Sequence, residues 1–299
     1  MSVPPTVCML GASLLFALMA ACVKLASVQY SAGEIVFYRS LVGLALMAAA
    51  LRGRGVAWRT PVPAMHLWRS LSGTVSLCLW FYAVGVLPLG TAMTLNYTAP
   101  LWIALFLIGG SVMLAPGRVA IDGRLVCTVL VGFAGVALVL KPTLDPQQMW
   151  AGVLGLLSGV LSAVAYLSVT ALGRAGEPSE RVVFYFSASG VVAGAALALM
   201  SGAWHGHTLR GLLLLAAIGA LATGAQWLMT RAYAAGATLG IATLQYLGIA
   251  YAFVLGVWLF DDPVTLQALA GMVLIIGAGV AATLLRGRPQ RQDAAPTET

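Results

Sequence analysis

The stretch Val36-Phe-Tyr-Arg-Ser40 recurs 147 positions later as Val183-Phe-Tyr-Phe-Ser187, and Gly43 recurs in the same register as Gly190. Further matches follow in the same order along the chain: Gly73 with Gly224, Leu95-Asn-Tyr97 with Leu244-Gln-Tyr246, and Gly135-Val-Ala137 with Gly279-Val-Ala281. All offsets lie between 144 and 151, close to half of the 299 residues. The sequence therefore predicts an internal duplication.

The composition excludes a water-soluble protein. Hydrophobic residues make up 61% of the chain and charged residues only 8%, whereas soluble domains carry roughly 25% charged residues. A membrane-spanning helix takes ~20 residues. The chain is therefore predicted to be an all-α polytopic membrane protein with about ten spans, which leaves no room for a soluble catalytic or ligand-binding domain.

The apolar runs and the breakers between them give the predicted spans. Since the runs show no sustained alternation and are about 20 residues long, helices are favoured over barrel strands. The polar segment 287–299 is predicted to be a disordered cytoplasmic tail. The predicted spans are 6–28, 33–51, 66–86, 90–109, 124–140, 149–171, 181–200, 210–231, 238–260 and 264–285.

Each half of the duplication holds five predicted helices, over 1–143 and 144–286. Because five is odd, the second half enters the membrane from the opposite face, and the two repeats are inverted. Inverted repeats are typical of secondary transporters, with a substrate site near the membrane midplane. An old duplication with a purely structural role is the alternative.

The distribution of basic residues predicts the orientation. Of the 16 Lys and Arg residues, twelve, Arg69 among them, fall on the side that holds the termini, and four on the other side. The positive-inside bias therefore places both termini in the cytoplasm. The same bias accounts for the net charge of +7, and no basic face with interleaved aromatic residues suggests a nucleic-acid partner.

Five features carry a resemblance to a known family: Lys24 ending helix 1, Arg39 early in helix 2, Pro100 after Tyr97, the corner Phe260-Asp-Asp-Pro263, and the glycine pattern of Gly271 to Val280. Over residues 6–285 the chain resembles the drug/metabolite transporter superfamily, in particular its ten-helix EamA-type members. The resemblance implies a multi-pass protein of a bacterial-type inner membrane that exports amino acids or moves other small metabolites.

The sequence departs from that family at two points. The family often has a Gly-Glu corner after both helix 4 and helix 9. Here the first corner, Gly109 to Gly117, has no acid, and the second has Asp261 in place of Glu. Pro100 corresponds to Ile249, so the two halves differ there.

Polar and aromatic residues recur at helical spacing on three spans and predict an internal pathway. Serine and threonine stripes also serve helix packing, and single aromatic residues also serve packing or an interfacial belt, so those alternatives stay open. The predicted substrate-binding residues are Lys24, Trp80, Tyr82, Asn96, Tyr97, Tyr166, Gln226, Gln245 and Tyr246.

Lys24 is the predicted anchor for an anionic substrate group. Arg39 is the other basic residue at membrane depth on the outer side, but it follows Glu34 and Tyr38 and is expected to be paired locally. The alternative for both cations is that they extend to the outer interface.

The acidic residues are informative through their positions. None of the nine falls in the middle of a predicted span, so coupling through a buried carboxylate is not supported. The sequence shows no catalytic motif and no metal-ligand spacing. We therefore expect no enzyme activity, cofactor, metal or obligate protein partner. A membrane enzyme and a scaffold or channel subunit are the rival classes, and neither explains the inverted repeat.

The predicted function is export of amino acids, including aromatic ones, because amides, aromatic rings and one lysine suit a zwitterion with an apolar side chain. The alternative is an importer or exchanger of a larger metabolite such as S-adenosylmethionine, riboflavin or a nucleotide-linked compound.

Overall fold

The structure is a computed structural model that describes residues 4–103, 105–106, 123–140, 146–202, 204–234 and 244–286. Within these ranges the chain forms ten helices of at least eight residues. They are α1 (Pro5–Ala26), α2 (Ala32–Gly53), α3 (Pro63–Val86), α4 (Leu89–Asn96), α5 (Gly123–Leu140), α6 (Pro146–Arg174), α7 (Ser179–Met200), α8 (Leu209–Ala234), α9 (Leu247–Phe260) and α10 (Leu266–Arg286).

Five helical segments of the described chain are long and apolar enough to cross a membrane. They are Pro5–Ala26, Ala32–Gly53, Gln148–Arg174, Ser179–Met200 and Leu209–Ala234, and two shorter apolar helices span Leu247–Phe260 and Leu266–Ala278. The protein is thus an all-helical polytopic membrane protein, as its composition predicts. The predicted tail 287–299 and the corner from Gly109 to Gly117 lie outside the described residues.

Local signals in the sequence set the helix ends. Pro5 and Pro63 lie in the first turns of α1 and α3, where a missing backbone N–H costs nothing. The start of α2 is a capping box, in which the Ser31 hydroxyl accepts from the Glu34 N–H and the Glu34 carboxylate accepts from the Ser31 N–H. After α9 the chain turns at Asp261, which adopts a left-handed conformation with φ of 49°.

The packing of the helices is symmetric between the two halves. The most extensive contacts join α2 with α7, α3 with α6, α1 with α8, and α5 with α10. The helix α4 packs against α6 and α9, and α1 packs against α9. Replacing each helix by the one five places along leaves this set of pairs unchanged, since α1–α8 becomes α6–α3 and α1–α9 becomes α6–α4.

The contact between α2 and α7 is reciprocal at the level of single residues. A Cβ atom on Gly43 would lie 2.8 Å from the Ser187 hydroxyl oxygen, and one on Gly190 would overlap the Ser40 hydroxyl. Gly43 and Gly190 are equivalent positions in the duplicated segment, and so are Ser40 and Ser187. The same close contact is therefore made twice, once in each direction, as a two-fold relation requires.

Two helices that the sequence predicts to be continuous are interrupted. α4 ends at Asn96, Tyr97 and Thr98 form a turn, and the chain is helical again from 99 to 103. In the second half, Gln245 and Tyr246 form a turn before α9 begins. The predictions of uninterrupted helices over 90–109 and 238–260 are therefore wrong at these turns, and residues 107–109 and 238–243 lie outside the described part.

The two interruptions have different causes. Pro100 has no N–H to donate to the Asn96 carbonyl, which removes one helical hydrogen bond. The equivalent position in the second half is Ile249, whose N–H bonds to the Tyr246 carbonyl at 3.0 Å, three residues back rather than four. A proline causes the first interruption, whereas the second depends on the surrounding structure.

The first helix of the opposite half packs against each interruption. Gly159 of α6 lies so close to the first one that a Cβ would sit 2.7 Å from the Leu95 carbonyl oxygen. The Thr98 hydroxyl donates to that oxygen at 2.7 Å. In the second half, the Ser13 hydroxyl of α1 donates to the Leu244 carbonyl at 3.2 Å. These hydroxyl groups satisfy carbonyls that the interrupted helices release, a requirement inside a membrane.

Candidate functional site

A cavity lies between seven helices, α1 to α4 and α6 to α8. It encloses about 510 Å³ of space that protein atoms do not fill, a figure that includes open solvent at its mouth. The polar residues of its lining are Arg39, Arg69, Ser76, Asn96, Ser162 and Gln226, and its aromatic residues are Phe16, Trp80, Tyr97, Tyr166 and Phe186.

Asn96 lies at the interruption of α4 and joins the polar faces of two neighbouring helices. Its Nδ2 donates to the hydroxyls of Ser158 and Ser162 at 2.9 and 3.2 Å. Ser162 in turn shares a 2.8 Å hydrogen bond with Ser76 of α3. The predicted serine stripes of α3 and α6 thus pack against each other and also line the cavity. These serines therefore serve both helix packing and the cavity lining.

Tyr166 is positioned by residues of the second half. The Gln245 Nε2 donates to its hydroxyl at 3.0 Å, and Tyr233 donates to the Gln245 Oε1 at 3.2 Å. The Tyr166 and Tyr233 rings stack with centroids 5.6 Å apart. Gln245 itself does not line the cavity. It lies one hydrogen bond away and fixes the orientation of a tyrosine that does.

Two arginines point into the cavity. The Arg39 and Arg69 side chains come from α2 and α3, and only 3% and 2% of each residue is exposed. Their guanidinium carbons lie 5.0 and 4.4 Å from the centroid of the same Phe186 ring. The Nε and Nη1 atoms of both arginines have no hydrogen-bond partner. The Arg69 Nη2 reaches the Gln226 Oε1 at 3.5 Å, the limit of a hydrogen bond.

No carboxylate in the described part of the chain lines this cavity. Glu34 bonds with Ser31 and His205, and Glu180 bonds with Arg54 and Trp227. The remaining bonded acids lie at helix ends: Glu177 with Thr60, His66 and Arg181, and Asp262 with Lys24 and the Leu89 N–H. Within the described residues, the two buried cations therefore have no protein anion beside them.

The cavity brings together five of the nine residues that the sequence predicts to bind substrate: Trp80, Asn96, Tyr97, Tyr166 and Gln226. Gln245 and Tyr246 are buried behind it, each 3% exposed. Tyr82 lies on the outer surface with 40% exposure.

Lys24 also lies apart from the cavity lining. Its ammonium group pairs with the Asp262 carboxylate at 2.6 Å and lies 4.7 Å from the centroid of the Phe260 ring. The second Asp262 oxygen accepts from the Leu89 N–H at 2.7 Å. Lys24 therefore links α1 to the corner after α9 and, through Asp262, to the first residue of α4.

Two expectations about the arginines are corrected. Arg39 is not tied to its neighbours, because Glu34 bonds with His205 and Ser31, and Tyr38 bonds with His207 at 2.9 Å. Arg69, which the positive-inside bias places among the basic residues of the cytoplasmic side, is buried in α3. The sequence does contain a signal for this inward position. Arg69 precedes Gly73 by one helical turn, and Gly73 lies on the same face of α3 as Trp80.

The two loops that follow α2 and α7 close opposite ends of the α2–α7 pair. At the start of α7, Glu177 accepts from Thr60 and Arg181 and bonds with His66 at 3.1 Å. At the start of α2, Glu34 accepts from the His205 N–H and bonds with its Nδ1, both at 2.8 Å. We refer to these groups as the Glu177 cluster and the Glu34 cluster.

The Glu177 carboxyl lies outside the spanning helices, and its pKa is lowered. Burial alone would raise that pKa, but the hydrogen bonds from Thr60, His66 and Arg181 and the charge of Arg181 together outweigh it. The ionised carboxylate is therefore the form that holds this cluster together.

Comparison with known proteins agrees with a transport role. The chain is 34% identical over 275 residues to the pseudopaline exporter CntI of Pseudomonas aeruginosa, covering 90% of this chain and 92% of the relative. It is 24% identical over 279 residues to an uncharacterized transporter of Helicobacter pylori, covering 90% and 91%. It is 23% identical over 227 residues to the S-adenosylmethionine uptake transporter of Rickettsia bellii, covering 74% and 72%. These relatives are transporters and not enzymes.

The fold is also found among solved structures. One crystal structure, 22% identical in sequence, superposes with a TM-score of 0.65 over 94% of this chain and 96% of its own. No model of a protein family matches the chain. The identity to CntI over nearly the whole of both chains shows that this protein belongs to a family of bacterial multi-pass membrane transporters that includes the pseudopaline exporter CntI.

Proposed function

We propose that the protein is a secondary transporter that works by alternating access between two inverted five-helix repeats, residues 1–143 and 144–286. The observation that carries this proposal is the cavity beside the interrupted helix α4, which packs against its equivalent, α9. Interrupted helices of inverted repeats form the substrate sites of many transporters. The symmetric helix pairing and the reciprocal contacts of Gly43 and Gly190 support the repeat. The proposed architecture is the one that the resemblance to ten-helix EamA-type transporters implies.

The two loop clusters are the proposed gates. The Glu34 cluster joins the α7–α8 loop to α2, and the Glu177 cluster joins the α2–α3 loop to α7. Because they lie at opposite ends of the α2–α7 pair, release of one opens the cavity towards one side only. Related contacts at both ends would give the two open states the similar free energies that alternating access requires.

The proposed orientation places both termini in the cytoplasm of a bacterial-type inner membrane, on the distribution of basic residues, which is eleven to three once the buried Arg69 and Arg39 are left out of the twelve-to-four count. In this orientation the Glu177 cluster is the cytoplasmic gate and the Glu34 cluster is the outer gate. No described carboxylate lies in the cavity, so the proposal includes no coupling by an acidic residue there.

The proposed substrate is an amino acid or a metabolite derived from one, and the proposed direction is export. Aromatic faces from Trp80 and Tyr166 suit an apolar body, whereas Asn96 and the arginines suit a carboxylate. The name of CntI states export for that relative. Import of a larger metabolite is the second candidate, favoured by the Rickettsia relative, which takes up S-adenosylmethionine. The higher identity and coverage of CntI favour export.

Counterflow in proteoliposomes with a panel of amino acids and derived metabolites tests the proposal. We expect at least one member of the panel to exchange, and Tyr166→Phe to slow that exchange several-fold because it removes the hydroxyl that Gln245 orients. Tyr82→Phe is the matched control, since Tyr82 lies outside the cavity lining, and it should leave the rate unchanged. Equal effects of the two substitutions would remove this cavity from the pathway.

A further inference from the structure

The unpartnered polar groups of the cavity are mostly donors. The Nε and Nη1 atoms of Arg39 and Arg69, together with the Trp80 indole N–H, are buried without an acceptor. An indole N–H and a guanidinium can only donate. A buried donor without an acceptor is unfavourable, and more so when it is charged. The cavity therefore suits a ligand rich in acceptor oxygens.

The two buried positive charges of the arginines are also unfavourable for the ligand-free protein. Two guanidinium groups near one Phe186 ring repel each other in a medium of low dielectric constant. The contact of each cation with the ring offsets part of this repulsion. No described carboxylate offsets the rest. A ligand with two negative charges would neutralise this pair.

The two arginines approach the cavity from opposite faces of the membrane. Arg39 lies about two turns from the start of α2, and Arg69 about two turns from the start of α3. Consecutive spanning helices begin at opposite faces, so the two side chains extend towards each other and meet at Phe186. One ligand that spans this ring can contact both.

We infer that the substrate carries two acidic groups, one bound by Arg39 and the other by Arg69, on an organic body held between aromatic side chains. This inference rests on the proposed transport function and narrows its substrate class from amino acids in general to dianionic derivatives. Guanidinium groups bind carboxylates and phosphates in the same forked geometry. The shared chemistry is that of an organic dianion.

The test uses the purified full-length protein in detergent and three probes with one aromatic body. Phenylalanine has one carboxylate, N-(carboxymethyl)phenylalanine has two, and O-phosphotyrosine has a carboxylate and a phosphate. Ligand-induced shifts of the melting temperature give apparent affinities. We expect at least one dianion to raise the melting temperature at concentrations where phenylalanine has no effect. Whichever of the two dianions binds more tightly identifies the second group as carboxylate or phosphate.

Substitutions assign the binding to the two arginines. Arg39→Gln and Arg69→Gln should each weaken dianion binding roughly tenfold or more, while Arg→Lys at either position should retain part of it. Arg231→Gln is the control, because Arg231 also lies over an aromatic ring, that of Trp227 at 4.8 Å, but does not line the cavity. We also expect both cavity variants without ligand to melt at a higher temperature than the wild type, since each removes an uncompensated buried charge.

Two results would overturn the inference. One is a wild-type protein that binds phenylalanine as tightly as both dianions. That result would leave the transport proposal intact and would exclude a preference for substrates with two acidic groups. The other is a lower melting temperature of both Arg→Gln variants with dianion affinity unchanged, which would show that the arginines serve the fold alone. Failure of the transport proposal itself would instead appear as an absence of counterflow for the whole panel.

Discussion

The Arg39 guanidinium carbon lies 5.0 Å from the centroid of the Phe186 ring, and these two residues occupy equivalent positions in the duplicated segments 36–40 and 183–187. The backbone symmetry of the two halves therefore brings equivalent positions into contact, while their chemistry differs. One half supplies a cation and the other supplies an aromatic face. Under the proposed alternating access the helices would exchange roles between two open states, whereas a charged ligand would keep one preferred orientation.

Replacement of Asn96 by leucine should weaken substrate binding several-fold. Asn96 lines the cavity. Losing one amide hydrogen bond to the substrate costs ~0.5–1.5 kcal/mol of binding free energy, or more when the partner is charged. Gln245→Leu should weaken binding less, because Gln245 acts through Tyr166. Apparent affinity and melting temperature measured on the same variants decide the point, with the exposed Gln267→Leu as control. Reduced stability with unchanged affinity in both variants would assign the amides to helix packing.

Gly73→Ala should lower substrate affinity without unfolding the protein. The Arg69 Nη1 lies where a Cβ on Gly73 would be placed, so alanine forces the guanidinium group to move, which a flexible side chain permits. Gly224 is the equivalent position in the second half, and its Cβ would only approach Leu15 at 3.3 Å. Gly224→Ala should therefore leave affinity unchanged. A loss of affinity of the same size in both variants would exclude an effect specific to Arg69.

Lys24→Met should lower the melting temperature, because it leaves the Asp262 carboxylate without its ammonium partner. Substrate affinity should stay unchanged. Breaking one partner of a part-buried pair is more destabilising than replacing both. The double variant Lys24→Met/Asp262→Asn should therefore recover part of the lost stability, which a double-mutant cycle measures. If Lys24→Met abolished binding at unchanged stability, Lys24 would be the anion anchor that the sequence predicts.

Acidification should destabilise the protein partly through Glu177. The folded-state pKa of this carboxyl is lower than its ordinary value of 4.5, so its contribution is present above that value and is lost as the pH falls towards the folded pKa. Glu177→Gln should lower the melting temperature at neutral pH and make it less dependent on pH below about 5. Asp261→Asn, at an exposed left-handed residue that asparagine tolerates, should retain the wild-type pH profile. Identical profiles for wild type and Glu177→Gln would contradict the assignment.

The orientation can be tested with single cysteines in a background without the native ones. The substitutions Arg59→Cys and Gly206→Cys place single cysteines in exposed loops at opposite ends of the α2–α7 pair. In intact cells an impermeant maleimide should label the cysteine at position 206 and not the one at position 59. The reverse pattern would invert the proposed topology and exchange the assignments of the two gates.

Much of the cavity follows from patterns that the sequence shows. Asn96, Tyr97, Tyr166 and Gln226 stand out because polar side chains at membrane depth must face a partner or a cavity. The sequence predicts the surroundings of the two arginines wrongly for two reasons. Sequence proximity suggests partners for Arg39 that bond elsewhere, and the position of Arg69 near a helix start groups it with the basic residues of the cytoplasmic side. Both errors arise because a long side chain can reach inward as readily as outward from the same position in sequence.

The sequence by itself determined the membrane class and most helix positions and predicts the duplication, because these depend on hydrophobic length, local breakers and a repeated register within each segment. It also held the cause of one helix interruption, since Pro100 removes a local hydrogen bond. Only the tertiary structure decided the second interruption at Gln245 and Tyr246, where no proline stands. It alone paired Lys24 with Asp262, 238 residues away, and brought Arg39 and Arg69 to one ring. These relations depend on which helices become neighbours, and the sequence of each helix does not contain that information.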